Sequence, residues 1–190
     1  MTTYILAGGA TMNSNDFGRK LSRVISDLVA KPRILNCFFM RPEEEWENFF
    51  TAWTGFYEKY LPQAEIEIAQ YEGFLDQIKN SDVLYLHGGS TRLLLEKLKR
   101  YENLPNAWRG KIIVANSAGA NSLAQHFLHR DGQIGEGLGV LPFNIVVHYG
   151  SDDEAERRVQ PDVNGLMQKH PEIPTLLLRE AEFTIFQEAK

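Results

Sequence analysis

The sequence predicts an α/β fold with a mainly parallel sheet, and three observations carry that prediction. Short apolar runs recur along the chain, among them Tyr4–Ala7, Asp82–Leu86 (D-V-L-Y-L) and Ile112–Val114. Near-continuous apolar runs of this length suit strands covered on both faces, as in parallel sheets. Amphipathic segments at helical spacing alternate with them, which is the order of βαβ units. Two of the strands also run straight into small-residue junctions that open helices, at His87-Gly88-Gly89-Ser90-Thr91 and at Asn116-Ser117-Ala118-Gly119-Ala120.

Taken in order, Tyr4–Ala7 reads as a buried strand ending at Gly8-Gly9, a tight turn near the mouth of a site. The G-x-G-x-x-G spacing of a dinucleotide loop is absent there. Asn15 or Asp16 caps a helix to about Ala30, with Phe17, Leu21, Val24, Ile25 and Leu28 on one face. Lys31-Pro32 ends it, and Arg33–Phe39 is the next strand, carrying Cys37 as a packing residue. Pro42 and Glu43-Glu44-Glu45 open a long helix to about Tyr60, with its acids at the favourable dipole end. Its aromatics (Trp46, Phe49, Phe50, Trp53, Phe56, Tyr57) read as core. Pro62 breaks the chain, Glu65–Ala69 alternates as a strand, and Tyr71–Lys79 is a short helix or turn. Asp82–Leu86 is followed by a helix from Arg92 to Tyr101. After the strand at Ile112–Val114, residues Asn121–Leu128 read as a helix with Leu123, Ala124, Phe127 and Leu128 on its apolar face. Leu138–His148 delivers a histidine at a strand terminus. Asp153–Lys169 is helical in parts, with Pro161 at a boundary, and Thr175–Leu178 and Phe183–Phe186 are two closing strands.

The 190 residues suit one domain, spanning residues 1–190, large enough to bury a core without disulfides or metal. A formal net charge of −5 argues against a nucleic-acid surface built on bulk positive field. The single cysteine excludes an intrachain disulfide and fits a reducing compartment. No apolar run approaches the roughly 18 residues of a membrane span, and the N-terminus lacks the pattern of a signal peptide. A soluble cytoplasmic protein, monomer or homodimer, without nucleic-acid or membrane partners, is expected.

A strand, a sharp turn of small residues carrying Ser117, and a helix form the layout of a nucleophile elbow, with Ala115 where the first Gly of G-x-S-x-G would stand. The turn lifts the hydroxyl above the carboxyl end of the sheet, where ligands of α/β folds bind. A serine nucleophile needs a base. Among the five histidines, His126 and His129 fall on or just after the helix behind Ser117, His170 lies in a surface-like stretch, and His87 adjoins the Gly88-Gly89 loop. His148 is best placed. For the carboxylate that would orient it, Asp131, Glu136, Asp152 and Glu180 all remain open by sequence order. No spacing of His, Cys, Asp and Glu suggests a metal site, and no cofactor is expected.

His87-Gly88-Gly89-Ser90-Thr91-Arg92-Leu93-Leu94, Asn116-Ser117-Ala118-Gly119-Ala120-Asn121 and Val147-His148-Tyr149 resemble the three signature segments of the peptidase E family, which also contains the cyanophycinases. Leu178-Arg179-Glu180-Ala181-Glu182-Phe183 resembles the family's L-P-E-G segment, with Arg179 and Ala181 departing from it. Ser90 stands for Asn in the first segment and Val147 for Pro in the third. The resemblance spans Tyr4 to Phe186 and implies a three-layer α/β sandwich of the class I glutamine amidotransferase type, with a C-terminus shorter than the family's usual one. It implies a serine exopeptidase acting on short peptides, among them dipeptides with an acidic N-terminal residue. Ser117 would be the nucleophile, His148 the base, and the Gly89 and Ala118 amides the oxyanion hole. Asp131, in the Gly-containing loop after the elbow helix and near the family's acidic position, is expected to complete the triad, with Glu180 lining the pocket. Gly88, Ser90 and Thr91 would contact substrate, and Arg157 or Arg158 would meet an acidic side chain. Glutaminase chemistry is disfavoured because the elbow carries no cysteine. The rival expectation is a catalytically silent binding member of the same fold, favoured if no carboxylate backs His148 or if the shorter C-terminus leaves the site open to solvent.

Overall fold

The structure, a computed structural model, describes residues 1–12, 14–129, 131–151 and 163–188. Its main sheet has six strands in the order β10-β1-β5-β4-β2-β3. These are β1 (Thr3–Ala7), β2 (Arg33–Cys37), β3 (Glu65–Ile68), β4 (Val83–Leu86), β5 (Ile112–Asn116) and β10 (Phe183–Gln187). All neighbours run parallel except β10, which pairs antiparallel with β1 from Thr3↔Gln187 to Ala7↔Phe183. β1, β4 and β5 are buried along their whole length, as their continuous apolar sequences require. With helices packed over this sheet, the architecture is the expected three-layer α/β sandwich.

Most of the helices fall near their expected places. α1 (Asn15–Leu28) is capped by Ser14, whose hydroxyl accepts from the Phe17 amide, so the cap lies one residue ahead of the two expected. Phe17, Leu21 and Ile25 face the core, while Leu28 is exposed. A 3₁₀ turn (Glu43–Glu45) leads into α2 (Trp46–Tyr60), which buries Trp46, Trp53, Phe56 and Tyr57. Each such side chain removed from water contributes about 1.5–3 kcal/mol. α3 (Phe74–Asn80) and a short α5 (Leu104–Ala107) pack together, as do α4 (Thr91–Leu98) and α6 (Ala118–Leu123). Cys37 is buried in β2, where loss of water pushes its thiol up to about 12, consistent with a packing role.

One expectation fails here. The helix read over Asn121–Leu128 is α6, which starts three residues earlier and stops at Leu123. His126–Leu128 is instead strand β6 of a second sheet, in the order β7-β6-β8-β9. Its other strands are β7 (Ile134–Glu136), β8 (Asn144–Val146) and β9 (Thr175–Leu177). Spacing misled because Phe127 packs into the main core while Leu128 packs against Val146 and Leu166 of a smaller cluster. Strand alternation across two cores mimics one wide helical face. A helix at Val163–Lys169 supplies Leu166 to that cluster.

Candidate active site

Ser117 sits between β5 and α6 with φ 49° and ψ −104°, outside the regions ordinarily open to a residue with a Cβ. Holding a residue there costs on the order of 1–3 kcal/mol, and the surroundings over-determine it. Its amide donates to Ala7 O at 2.9 Å, and its carbonyl accepts from Asn121 N to open α6. The close approach falls on Gly119, where a Cβ would lie 2.2 Å from Leu86 O. Ala115 is buried inside β5 opposite Leu6 and Leu86, so its departure from the glycine pattern leaves the turn untouched.

His148 approaches this serine from the other sheet, two residues beyond β8. Its Nε2 lies 3.0 Å from Ser117 Oγ, and its Nδ1 lies 2.8 Å from Glu180 Oε1. A carboxylate only accepts, so Nδ1 carries the proton and Nε2 presents its lone pair to the serine hydroxyl. Both His148 and Glu180 are about one-quarter exposed at the side chain. The carboxylate behind the histidine is therefore Glu180, and the assignment to Asp131 is corrected. Asp131 stands exposed in the turn between β6 and β7, where its Oδ1 accepts from Gln133 N at 3.0 Å. That bond closes a local turn. Glu180 lies in the turn between β9 and β10, which the antiparallel pairing of β10 brings beside β1.

The Gly8-Gly9 pair binds these pieces together. Gly8 O accepts from His148 N, and Gly9 O accepts from Ala181 N, each at 2.9 Å. Gly9 has φ 128°, and a Cβ there would lie 2.1 Å from His148 Cε1. A Cβ on Gly8 would lie 2.3 Å from Arg179 O. The bare backbone of this pair is thus the floor on which the imidazole and the Glu180 turn rest.

On the opposite wall, a Cβ at Gly88 would come within 3.3 Å of Ser117 Cβ, so the loop after β4 passes directly over the serine. Gly89, at φ 155°, is packed against Met40. Ser90 Oγ caps α4 by accepting from Leu93 N, and Thr91 Oγ1 accepts from Asn121 Nδ2, tying this loop to α6. Gly88, Gly89, Ser90 and Thr91 all line a cavity of about 620 Å³ that Ser117 and His148 also face. Arg41, Arg92 and His129 line it too, and sequence reasoning singled out none of them for this site. His129 arrives through the missed strand β6, and Arg41 through the bend after β2; neither carries a motif. Arg157, Arg158 and Asp152 lie outside the described residues. No group of three or more His, Cys, Asp or Glu among the described residues could hold a metal ion.

His87, just before the loop, is fully enclosed. Its Nε2 lies 2.9 Å from Asn36 Oδ1, which also accepts from Tyr57 Oη. The ring stacks on Tyr85 at 4.0 Å between centroids and meets Trp53 and Phe38. Burial, with the Arg41 charge nearby, holds it well below the usual histidine range, so it is neutral and donates from Nε2.

A serine, a histidine and a carboxylate joined by hydrogen bonds at the carboxyl ends of an α/β sheet define a serine-hydrolase type of site. The chain belongs to peptidase family S51, whose sequence model matches residues 4–190. It is a serine-type peptidase by that membership, and the peptidase E resemblance of its four segments holds over the same length. No curated protein matches the chain. Among the described residues, no helix is long and apolar enough to cross a membrane.

Proposed function

We propose that the protein is a cytoplasmic serine exopeptidase that hydrolyses short peptides, including dipeptides with an acidic N-terminal residue, through an acyl-enzyme on Ser117. The observation that carries this reading is the hydrogen-bonded series Glu180–His148–Ser117 facing the cavity. Ser117 lies in a nucleophile elbow, and its Oγ attacks the scissile carbonyl carbon while His148 Nε2 takes the hydroxyl proton. Glu180 holds the imidazole in the right tautomer and stabilises the imidazolium that forms. The developing oxyanion is received by the amides of Gly89 and of Ala118, the latter at the first position of α6, where no intrahelical acceptor exists. His148 then gives its proton to the leaving amine, the C–N bond breaks, and water releases the acyl group by the same steps in reverse order. A volume of about 620 Å³ suits a dipeptide or tripeptide. One of the two conditions that would favour a silent binder, a His148 without a carboxylate, is not met.

The test is covalent labelling of the wild-type protein by a neutral fluorophosphonate, with peptide mapping, beside turnover of a dipeptide panel. Labelling at Ser117 is expected, and Ser117→Ala should lower turnover by at least about 10³-fold while leaving the thermal transition in place. Wild-type turnover without Ser117 labelling, or turnover unchanged in Ser117→Ala, would overturn the proposal.

A further inference from the structure

The residues lining the cavity that faces Ser117 include two arginines, Arg41 and Arg92, and two histidines, His129 and His148. No aspartate or glutamate is among the described residues that line it. An exopeptidase that anchored its substrate by the terminal ammonium would need the opposite charge here. The two arginines are also in different electrostatic conditions, and the difference is informative.

Arg41 is held in place. Its guanidinium carbon lies 3.5 Å from the centroid of the Phe49 ring, and its Nη1 is 3.2 Å from Glu45 Oε2. Its Nε is buried without a hydrogen-bond partner. Stacking and one carboxylate fix the plane of the fork while leaving donors unspent. Arg92 has no ion pair or hydrogen bond of its side chain among the described residues, and it sits in the first turn of α4. That turn has no acid, and its dipole already favours negative charge, so a cation there is disfavoured until an anion joins it. The residue before it, Thr91, is tied to α6 by Asn121, so the first turn of α4 that carries Arg92 is fixed relative to Ser117.

We infer that Arg92, backed by Arg41, forms a carboxylate-binding subsite on the oxyanion-loop wall of the cavity, and that these residues select substrate by its negative charge. This rests on the peptidase reading for the identity of the substrate as a short peptide. It gives the acid-recognising role, expected of Arg157 or Arg158, to Arg92 and Arg41 instead. The carboxylate comes from one of two places on such a peptide, an acidic side chain or the C-terminus. A guanidinium fork meets either one in the same bidentate manner.

Binding is measured by titration calorimetry on the Ser117→Ala protein, so that no turnover is needed. The ligands are Asp-Leu, Asn-Leu and Asp-Leu-amide, the last two each lacking one negative charge of the first, at the side chain and at the C-terminus respectively. At least one neutralised ligand is expected to bind roughly 10–100-fold more weakly than Asp-Leu, the range for one charge-assisted contact. If Asn-Leu is the weak one the subsite takes the side chain, and if the amide is weak it takes the C-terminus. Adding Arg92→Gln should bring that ratio to within about threefold of unity, with Arg92→Lys retaining part of it, and Arg41→Gln should reduce it. Equal affinities for all three ligands, or a ratio that survives both Arg92→Gln and Arg41→Gln, would overturn the inference. Fluorophosphonate labelling of the wild type reports separately on the peptidase reading. Labelled Ser117 with no charge preference rejects the subsite alone, whereas a charge preference without labelling rejects the peptidase and keeps the subsite.

Discussion

Gly9→Ala is the most direct probe of how the imidazole is seated. The added Cβ would lie 2.1 Å from His148 Cε1, 2.6 Å from Nδ1 and 2.8 Å from Nε2, against an ordinary contact distance of 3.4 Å or more. The ring must retreat by upward of about 1 Å to restore carbon–carbon separation. Its hydrogen bonds to Ser117 and Glu180, at 3.0 and 2.8 Å, cannot both survive such a shift. A misplacement of about 1 Å costs around 10²-fold in rate, and complete loss of the base costs more. We expect kcat/KM for a dipeptide to fall by roughly 10²–10⁴-fold. The backbone contributes separately, because φ of 128° suits glycine and costs an alanine on the order of 1–3 kcal/mol. For a chain of this size that lowers Tm by roughly 2–12 °C. Gly139→Ala separates the two effects, since Gly139 has φ 64° and nothing within 4 Å of its would-be Cβ. It should lose stability and keep activity. The assay is steady-state hydrolysis followed by chromatography at 25 °C, with Tm by calorimetry. If Gly9→Ala stays within threefold of wild type in kcat/KM, the imidazole does not rest on Gly9 and the placement of His148 is wrong.

Two other outcomes follow from the same geometry. Glu180→Gln should lower kcat/KM by roughly 10³–10⁴-fold, while Asp131→Asn should stay within about threefold, because Asp131 only closes a turn; the reverse ranking would return the carboxylate role to Asp131. His87 is neutral in the folded protein and held well below the ordinary value near 6.5, so the unfolded chain binds the extra proton as pH falls. Stability is therefore full above about pH 6.5 and declines below it, by up to about 1.4 kcal/mol per pH unit from this group. Urea unfolding between pH 7.5 and 5 should show a shallower decline in His87→Phe than in wild type, and equal slopes would show that His87 titrates freely.

Some residues were legible because their roles are local. A β-branched run leading into Ser-Ala-Gly describes a strand, a turn and a helix within ten residues, and Ser117 lies where that description puts it. His148 was legible as a strand-terminal histidine, although its strand belongs to a second sheet that periodicity did not reveal. The family resemblance ranked Asp131 above Glu180, and that ranking failed because the choice depends on the antiparallel placement of β10 beside β1. That pairing joins residues from 176 (Ala7↔Phe183) to 184 (Thr3↔Gln187) positions apart, and no local pattern encodes it. Gly9 reads as an ordinary turn residue until the ring above it is in view. Arg92 lay within a quoted signature segment, yet its missing counter-charge is a property of the surroundings that only the packed structure supplies.

The pairing of β1 with β10 also bears on how such an enzyme comes into being. Its first strand leaves the ribosome early and must wait for a partner on its outer edge until residues 183–187 have been made. The turn bearing Glu180 is positioned by that same late event, through the bond from Ala181 N to Gly9 O. Chain closure over so long a separation is slow compared with the local steps that form the elbow. The serine turn needs only β1, β4, β5 and α6, whereas the carboxylate behind His148 is in place only once β10 has paired.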